Sequence, residues 1–111
     1  MKDDMIYVSH IMECIERIEG YTKGLDLQGF LSNRLVMDGV VRNLEIIGEA
    51  AKNVSDGYRR KNNDINWNGM AGMRDRAVHS YFSIDYLIVW NIVVFDLPKL
   101  KQQVKLLLER K

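Results

Sequence analysis

The chain has one cysteine, one proline and two histidines in 111 residues, and each scarcity excludes a class of protein. Cys14 has no second thiol for an internal disulfide and no histidine set beside it, which indicates a core residue in a reducing cytoplasm and no metal site. A single Pro98 and a hydrophobic fraction of 47% exclude a disordered, proline-rich chain.

The chain also lacks a large excess of positive or negative charge, because it has 16 basic and 15 acidic residues. Proteins that coat nucleic acid have a strong basic excess, so any phosphate contact is expected at a small, local site. The longest apolar stretch, Leu87–Phe95, is interrupted by Asn91 and is too short to span a membrane. The start MKDDMIYVSH is acidic where a signal peptide is basic. These features predict a cytoplasmic protein without membrane contact.

Apolar residues recur at helical spacing through most of the chain. The predicted helices span Asp4–Glu19, Asn33–Val54, Trp67 to about Ala77, Ser83 to about Phe95, and a short last segment from Pro98. Glycines at 20 and 24 are expected to end the first of them. Strand-like alternation and hairpin turns are absent from the pattern. The sequence therefore predicts one all-α domain, residues 1–111, folded as an up-and-down bundle of four to five helices.

The fourth predicted helix is apolar around most of its circumference. Its apolar residues are Ile84, Leu87, Ile88, Val89, Trp90, Ile92, Val93, Val94 and Phe95. One face of a small bundle needs fewer, so we expect a two-fold homodimer that covers the remainder.

Titratable side chains concentrate in one stretch, MRDRAVHSYF, residues 73–82. Arginine offers a planar fork of donors for phosphate, and histidine exchanges protons near neutral pH. A helix that ends near His79, followed by extended chain, lets Arg74, His79 and Tyr81 face one cleft. The plainer alternative is that Arg74 and Asp75 pair with surface partners and His79 packs between helices, since one histidine near an arginine is a weak signal.

Other polar residues suggest sites that we rank lower. Glu45 and Glu49 share a helix face, but no histidine has matching spacing, so ion pairs are favoured over metal ligation. Glu45 could approach the cleft and orient Arg74, although it is not placed among the site residues. His10 is predicted to pack between helices. The basic run Arg59–Lys61 is predicted to be a solvated loop, with RNA-backbone contact as the alternative.

The segment RDRAVHSYF resembles the R-x4-H-x-Y signature of HepT-like toxins, a branch of the HEPN superfamily of ribonucleases. The arginine is Arg74, the histidine is His79 and the tyrosine is Tyr81, while Asp75 stands where HEPN proteins often have a polar residue. VRNLEIIGEAAK, from Val41 to Lys52, resembles the most recognisable helix of the family. YVSHIMECIERIEGYTKG, INWNGMAGMRD and DYLIVW are also similar, so the resemblance covers nearly the whole chain.

This resemblance implies an HEPN-like, homodimeric endoribonuclease toxin of a type VII toxin–antitoxin module. Its partners are RNA and an MntA-like nucleotidyltransferase antitoxin, with which a larger hetero-oligomer is compatible. The implied cleavage needs neither metal nor cofactor: His79 is general base or acid, Arg74 stabilises phosphoryl charge and Asp75 supports them. Tyr81 corresponds to the tyrosine that the antitoxin modifies with AMP, a bulky anion that would block an RNA phosphate.

Two other functions stay open. The same bundle could be a non-catalytic subunit that binds a nucleotide or substrate for a partner nucleotidyltransferase, through Arg74 and Tyr81. It could also be a plain helical oligomerisation protein. Cleavage of RNA by the purified protein separates the ribonuclease from the binding subunit, and an adjacent nucleotidyltransferase gene would disfavour the oligomerisation protein.

Overall fold

Helices from the first half of the chain form the centre of the fold. The structure, a computed structural model, describes residues 2–80 and 82–110. Helix α1 spans Lys2–Thr22, helix α2 spans Leu27–Leu31 and helix α3 spans Arg34–Asn53. The long helices α1 and α3 make the most extensive contact between elements of the fold. Both long helices agree with the apolar spacing that predicts them.

The ends of these helices follow local chemistry. Asn33 caps α3, because its side-chain oxygen accepts the backbone N–H of Val36 at 3.1 Å. Helix α1 continues past Gly20 to Thr22, so Gly20 does not help to end it as predicted. Gly24 follows with a φ of 79°, a left-handed conformation that disfavours residues with a side chain.

Residues 56–61 are helical where a polar loop is predicted. Helix α4 spans Asp56–Lys61. The Ser55 Oγ accepts the N–H of Tyr58 at 3.2 Å and donates to the carboxylate of Asp4 at 2.8 Å. The Ser55 N–H also donates to Asp4, at 2.8 Å. Because the buried Asp4 anchors this cap from α1, the polar segment folds as a helix and the loop prediction is wrong.

The third predicted helix is short. Helix α5 spans Trp67–Ala71, and the N–H of Gly72 closes it by donating to the carbonyl of Asn68 at 3.0 Å. The chain then makes one 3-10 turn, Arg74–Arg76. The prediction of a helix through Ala77 is wrong, because a glycine C-cap and a tighter turn replace it.

A short antiparallel hairpin follows the turn. Strand β1 spans Val78–Ser80 and strand β2 spans Ser83–Ile84, with Val78 opposite Ile84 and an irregular register. The predicted absence of hairpins is wrong. These strands are too short for alternation to be visible in the sequence, and the half-buried pair of Val78 and Ile84 holds them together.

The two predicted C-terminal helices form one run of helical turns. Helix α6 spans Tyr86–Asn91, a π-helical turn spans Ile92–Asp96, and helix α7 spans Leu97–Glu109. The expected break before Pro98 does not occur. A proline has no N–H to donate, and the wider π turn before it accommodates this loss without ending the helix.

The start of α6 also differs from the prediction. Ser83 lies in β2, and Asp85 is the cap instead. The Asp85 carboxylate accepts the N–H groups of Leu87 and Ile88 at 3.1 and 3.2 Å. Two orphan donors are thus satisfied by one side chain.

The core lies where α1 packs against α3 and α7. Apolar residues at helical spacing are buried on each helix, among them Ile11, Ile15, Ile18, Leu44, Ile47, Ala51, Leu100, Val104 and Leu107. The all-α fold class is confirmed, although residues 2–80 and 82–110 contain three long helical runs rather than four. His10 is exposed on α1, so its prediction as a packing residue is wrong. No helix in the described part of the chain has the length and apolarity to cross a membrane.

Candidate active site

The 3-10 turn presents Arg74 at the protein surface between two carboxylates. Its Nη1 donates to Asp75 Oδ1 at 3.0 Å, and its Nη2 lies 3.5 Å from Glu45 Oε2. The Arg74 side chain is 35% exposed. A guanidinium has five N–H donors in a rigid fork, so these contacts orient Arg74 and leave donors for a ligand.

Glu45 connects the turn to α3. Its Oε1 accepts from Arg42 Nη1 at 2.7 Å, one helical turn earlier, while its Oε2 faces Arg74. Ion pairs as exposed as these contribute at most about 1 kcal/mol to stability. The contact therefore matters for the orientation of Arg74, and Glu45 belongs with the candidate site although it was not among the predicted residues.

Gly48 brings α3 and α5 close enough for this contact. A Cβ at Gly48 would lie 2.9 Å from the carbonyl oxygen of Ala71 and 3.9 Å from that of Met70. The missing side chain lets α3 rest against the end of α5. That approach places the turn after α5 within reach of Glu45.

A small cleft of about 100 Å³ lies between α3 and the turn. The charged side chains that line it are Glu45, Glu49, Lys52, Arg74 and Asp75. Three carboxylates and two cations give no positive excess, so a phosphate here would meet one oriented guanidinium rather than a basic surface. Within residues 2–80 and 82–110, no group of three or more His, Cys, Asp or Glu side chains is arranged to hold a metal ion.

His79 lies just beyond the turn, in the middle of β1, and is exposed. Its strand neighbours on either side are half-buried, so the alternation of a strand directs His79 to the other face. No hydrogen bond or ion pair joins His79 to Arg74 among the described residues, and His79 does not line the small cleft.

The structure thus brings two of the four predicted site residues into contact, Arg74 and Asp75. His79 is on the adjacent strand, and the extended chain there agrees with the expected geometry. The helical turns end at Arg76 rather than near His79. Tyr81 lies outside the described residues.

The basic run on α4 is partly structural. Arg59 Nη2 donates to the carbonyl oxygens of Ala51 and Lys52 at 2.8 and 2.9 Å. It therefore satisfies carbonyls at the end of α3, as cations near a helix C-terminus do. Arg60 and Lys61 are exposed, and contact with an RNA backbone stays a prediction for them.

Fold and site together define a helical protein that exposes an oriented arginine on one turn and a histidine on the next strand. These are the groups needed for acid–base chemistry at a phosphate. The model of a family described as ribonuclease HepT-like matches residues 11–107. The chain belongs to this HepT-like ribonuclease family, as the motif and the helix around Glu45 predict.

Individual relatives agree with the family. "Probable ribonuclease HepT" of Thermococcus cleftensis is 41% identical over 95 residues, which cover 86% of each chain. "Putative RNase TTE0752" of Caldanaerobacter subterraneus is 36% identical over 110 residues, covering 99% of this chain and 98% of the relative.

A longer relative contains a similar segment. "Gamma-glutamylcyclotransferase and putative RNase MJ0434" of Methanocaldococcus jannaschii is 43% identical over 108 residues. The match covers 97% of this chain and 49% of the relative, so the chain spans about half the length of that protein. No solved structure matches the chain.

Proposed function

We propose that this protein is a metal-independent endoribonuclease toxin whose RNA site is formed by Arg74 and His79. The observation that carries the proposal is the Arg74 guanidinium, held by Asp75 and Glu45 at the mouth of a cleft, with an exposed histidine on the following strand. Membership of a ribonuclease family gives this arrangement its substrate class.

The proposed reaction is attack of a ribose 2′-oxygen on the adjacent phosphorus. The His79 imidazole removes the 2′-OH proton, the new O–P bond forms, and the P–O5′ bond breaks to leave a 2′,3′-cyclic phosphate. The departing 5′-oxygen takes a proton from a general acid, for which the second His79 of a dimer is available. Arg74 stabilises the charge that develops on the phosphoryl oxygens. DNA lacks the 2′-OH and would not be cleaved.

A homodimer would assemble this site from two chains. The helical run after the hairpin exposes three large apolar residues, with Leu87 51%, Val94 41% and Phe95 63% exposed. Exposed apolar side chains of this kind gain nothing in water, whereas a self-complementary interface would bury them. Two Arg74 and two His79 side chains would then act on the same RNA, although two such clefts together have no net positive charge.

We further propose control by a nucleotidyltransferase antitoxin that transfers AMP to Tyr81. The tyrosine oxygen attacks the α-phosphorus of ATP and pyrophosphate leaves, so one negative charge is added to the Tyr81 side chain. Tyr81 is two residues from His79, and the adduct would exclude an RNA phosphate by its bulk and its charge.

The test compares the chain's two histidines, both of which are exposed. His79→Ala should abolish cleavage of RNA and growth arrest, whereas the matched His10→Ala variant, on α1, should retain both. Circular dichroism checks that both variants stay folded. Full cleavage by His79→Ala would refute the mechanism, and tight nucleotide binding without cleavage by the wild type would favour the non-catalytic alternative.

A further inference from the structure

A second, larger cavity of about 520 Å³ lies between α5 and α7. None of its lining residues lines the cleft at Arg74. Its volume falls within the range of about 300–1,000 Å³ that is usual for small-ligand sites. The cavity is therefore large enough to bind an organic group, which the 100 Å³ cleft is not.

The 3-10 turn lies between this cavity and the cleft at Arg74. Side chains three residues apart eclipse one another in a 3-10 helix. Met73 and Arg76 have that spacing and both line the larger cavity, whereas Arg74 and Asp75 line the cleft. Arg74 and Arg76 are two residues apart in this turn, so the cleft and the cavity adjoin the same short segment.

The cavity combines an apolar floor with amide groups. Met70, Met73 and Leu100 are 2%, 3% and 8% exposed, and polarisable thioethers pack well against aromatic rings. The side chains of Asn68 and Gln103 also line it and have no hydrogen-bond partner among the described residues. A carboxamide donates and accepts at once, which matches the edge of an unpaired nucleobase.

Two cations complete the lining. Arg76 Nη2 is paired with Asp96, the last residue of the π-helical turn. Lys99 lines the same cavity and has no ion-pair partner in the described part of the chain. The pair orients Arg76 while Lys99 leaves one net positive charge, which suits a single phosphate next to the base.

We propose that this cavity binds one unpaired nucleotide of the RNA, next to the phosphate at Arg74, and so determines the sequence preference of cleavage. The base lies over the apolar floor, which offers little exposed surface, so most of the contact comes from Gln103 and Asn68 at its edge and from Lys99 at its phosphate. This inference rests on the proposed ribonuclease function, because it assigns a subsite of that reaction.

The experiment measures binding of fluorescent single-stranded oligoribonucleotides to the full-length His79→Ala protein across a series of salt concentrations. Gln103→Ala and Lys99→Ala are compared with Gln102→Ala and Lys105→Ala, which change the same residue types at exposed positions of α7 outside the cavity. Lys99, Gln102 and Lys105 are exposed and Gln103 is half-buried, so each variant should fold, which circular dichroism checks.

We expect Gln103→Ala to weaken binding of the preferred sequence by about threefold to tenfold, the effect of one lost hydrogen-bonding group. The difference in affinity between the preferred RNA sequence and other sequences should also become smaller in this variant. The slope of log affinity against log salt is negative, and Lys99→Ala should make it less steep by about 0.7. This is the value for one phosphate contact on a single strand. The two control variants should match the parent protein.

The outcomes separate this inference from the proposed function. The subsite would be overturned if Gln103→Ala cleaved RNA at the wild-type rate with the same sequence preference, and if the cavity variants bound RNA like their controls. The proposed ribonuclease function would be unaffected by that result. Binding that depends on Gln103 and Lys99 in a wild type that never cleaves RNA would support the subsite and remove the reaction. Binding of free mononucleotide that does not compete with RNA would also overturn the subsite.

Discussion

Replacing Gly48 with alanine tests how the structure positions Arg74. A Cβ at this position would lie 2.9 Å from the Ala71 carbonyl oxygen, closer than such atoms approach without movement. Because both groups belong to helix backbones, neither can rotate away. The methyl group should push α5, and the turn after it, away from α3.

Two opposing effects determine the change in stability. Alanine favours a helix over glycine by about 0.5–1 kcal/mol. Inserting a methyl group into a packed contact costs about 1–3 kcal/mol. The net effect should be a loss of stability of up to about 2.5 kcal/mol, which corresponds to a decrease in Tm of up to roughly 10 °C. The Arg74–Glu45 separation is already 3.5 Å, so a small shift breaks it, and cleavage should fall about tenfold or more.

Thermal unfolding and RNA cleavage are measured together, with Gly20→Ala as the control. Gly20 is also helical, in α1, and a Cβ there would have no atom within 4 Å. This control should gain about 0.5–1 kcal/mol and keep its activity. A stabilised Gly48→Ala protein with normal cleavage would refute the close approach as the device that positions Arg74.

Three further predictions concern chemistry, assembly and packing. Cleavage should persist in excess EDTA, since the proposed proton transfer by His79 and the proposed charge stabilisation by Arg74 need no metal. A strict Mg²⁺ requirement would contradict this. Mixing Arg74→Ala and His79→Ala chains should restore part of the activity, because a mixed dimer has one Arg74 and one His79 but lacks the second His79 as general acid. Light scattering should show a dimer, and an active monomer would contradict the shared site. Burial raises the pKa of the Cys14 thiol above its ordinary value, so little thiolate is present near pH 8. Iodoacetamide should therefore react with Cys14 slowly until the protein unfolds. Equal reaction rates in the folded and unfolded states would contradict this burial.

The core helices could be predicted because burial imposes a period on the sequence. Ile11, Ile15 and Ile18 face the core of α1 at helical spacing, and all three are fully buried. The same logic succeeds for Val104 and Leu107 on α7. It depends only on side chains within one element, which local sequence records.

The segment around the motif could not be predicted in the same way, because its geometry depends on competition between caps and on distant partners. Ser83 and Asp85 are both good N-caps, and pairing of β2 with β1 takes the first and leaves the second. Glu45 is 29 residues from Arg74, and Arg76 is 20 residues from Asp96. Such separations leave no periodic signal in a single sequence.

These distant carboxylates suggest how a nearly neutral chain could act on RNA. Each arginine of the turn has an acidic partner, Asp75 and Glu45 for Arg74 and Asp96 for Arg76. The pairs cancel charge at long range, and they also hold each guanidinium in one orientation. Stabilisation of a phosphoryl transition state depends on groups that are already oriented before the reaction rather than on net charge. In the proposed enzyme, the same ion pairs therefore explain both a weak attraction for RNA as a polyanion and efficient chemistry at one phosphate. The salt dependence of RNA binding should accordingly be only as steep as a few phosphate contacts require.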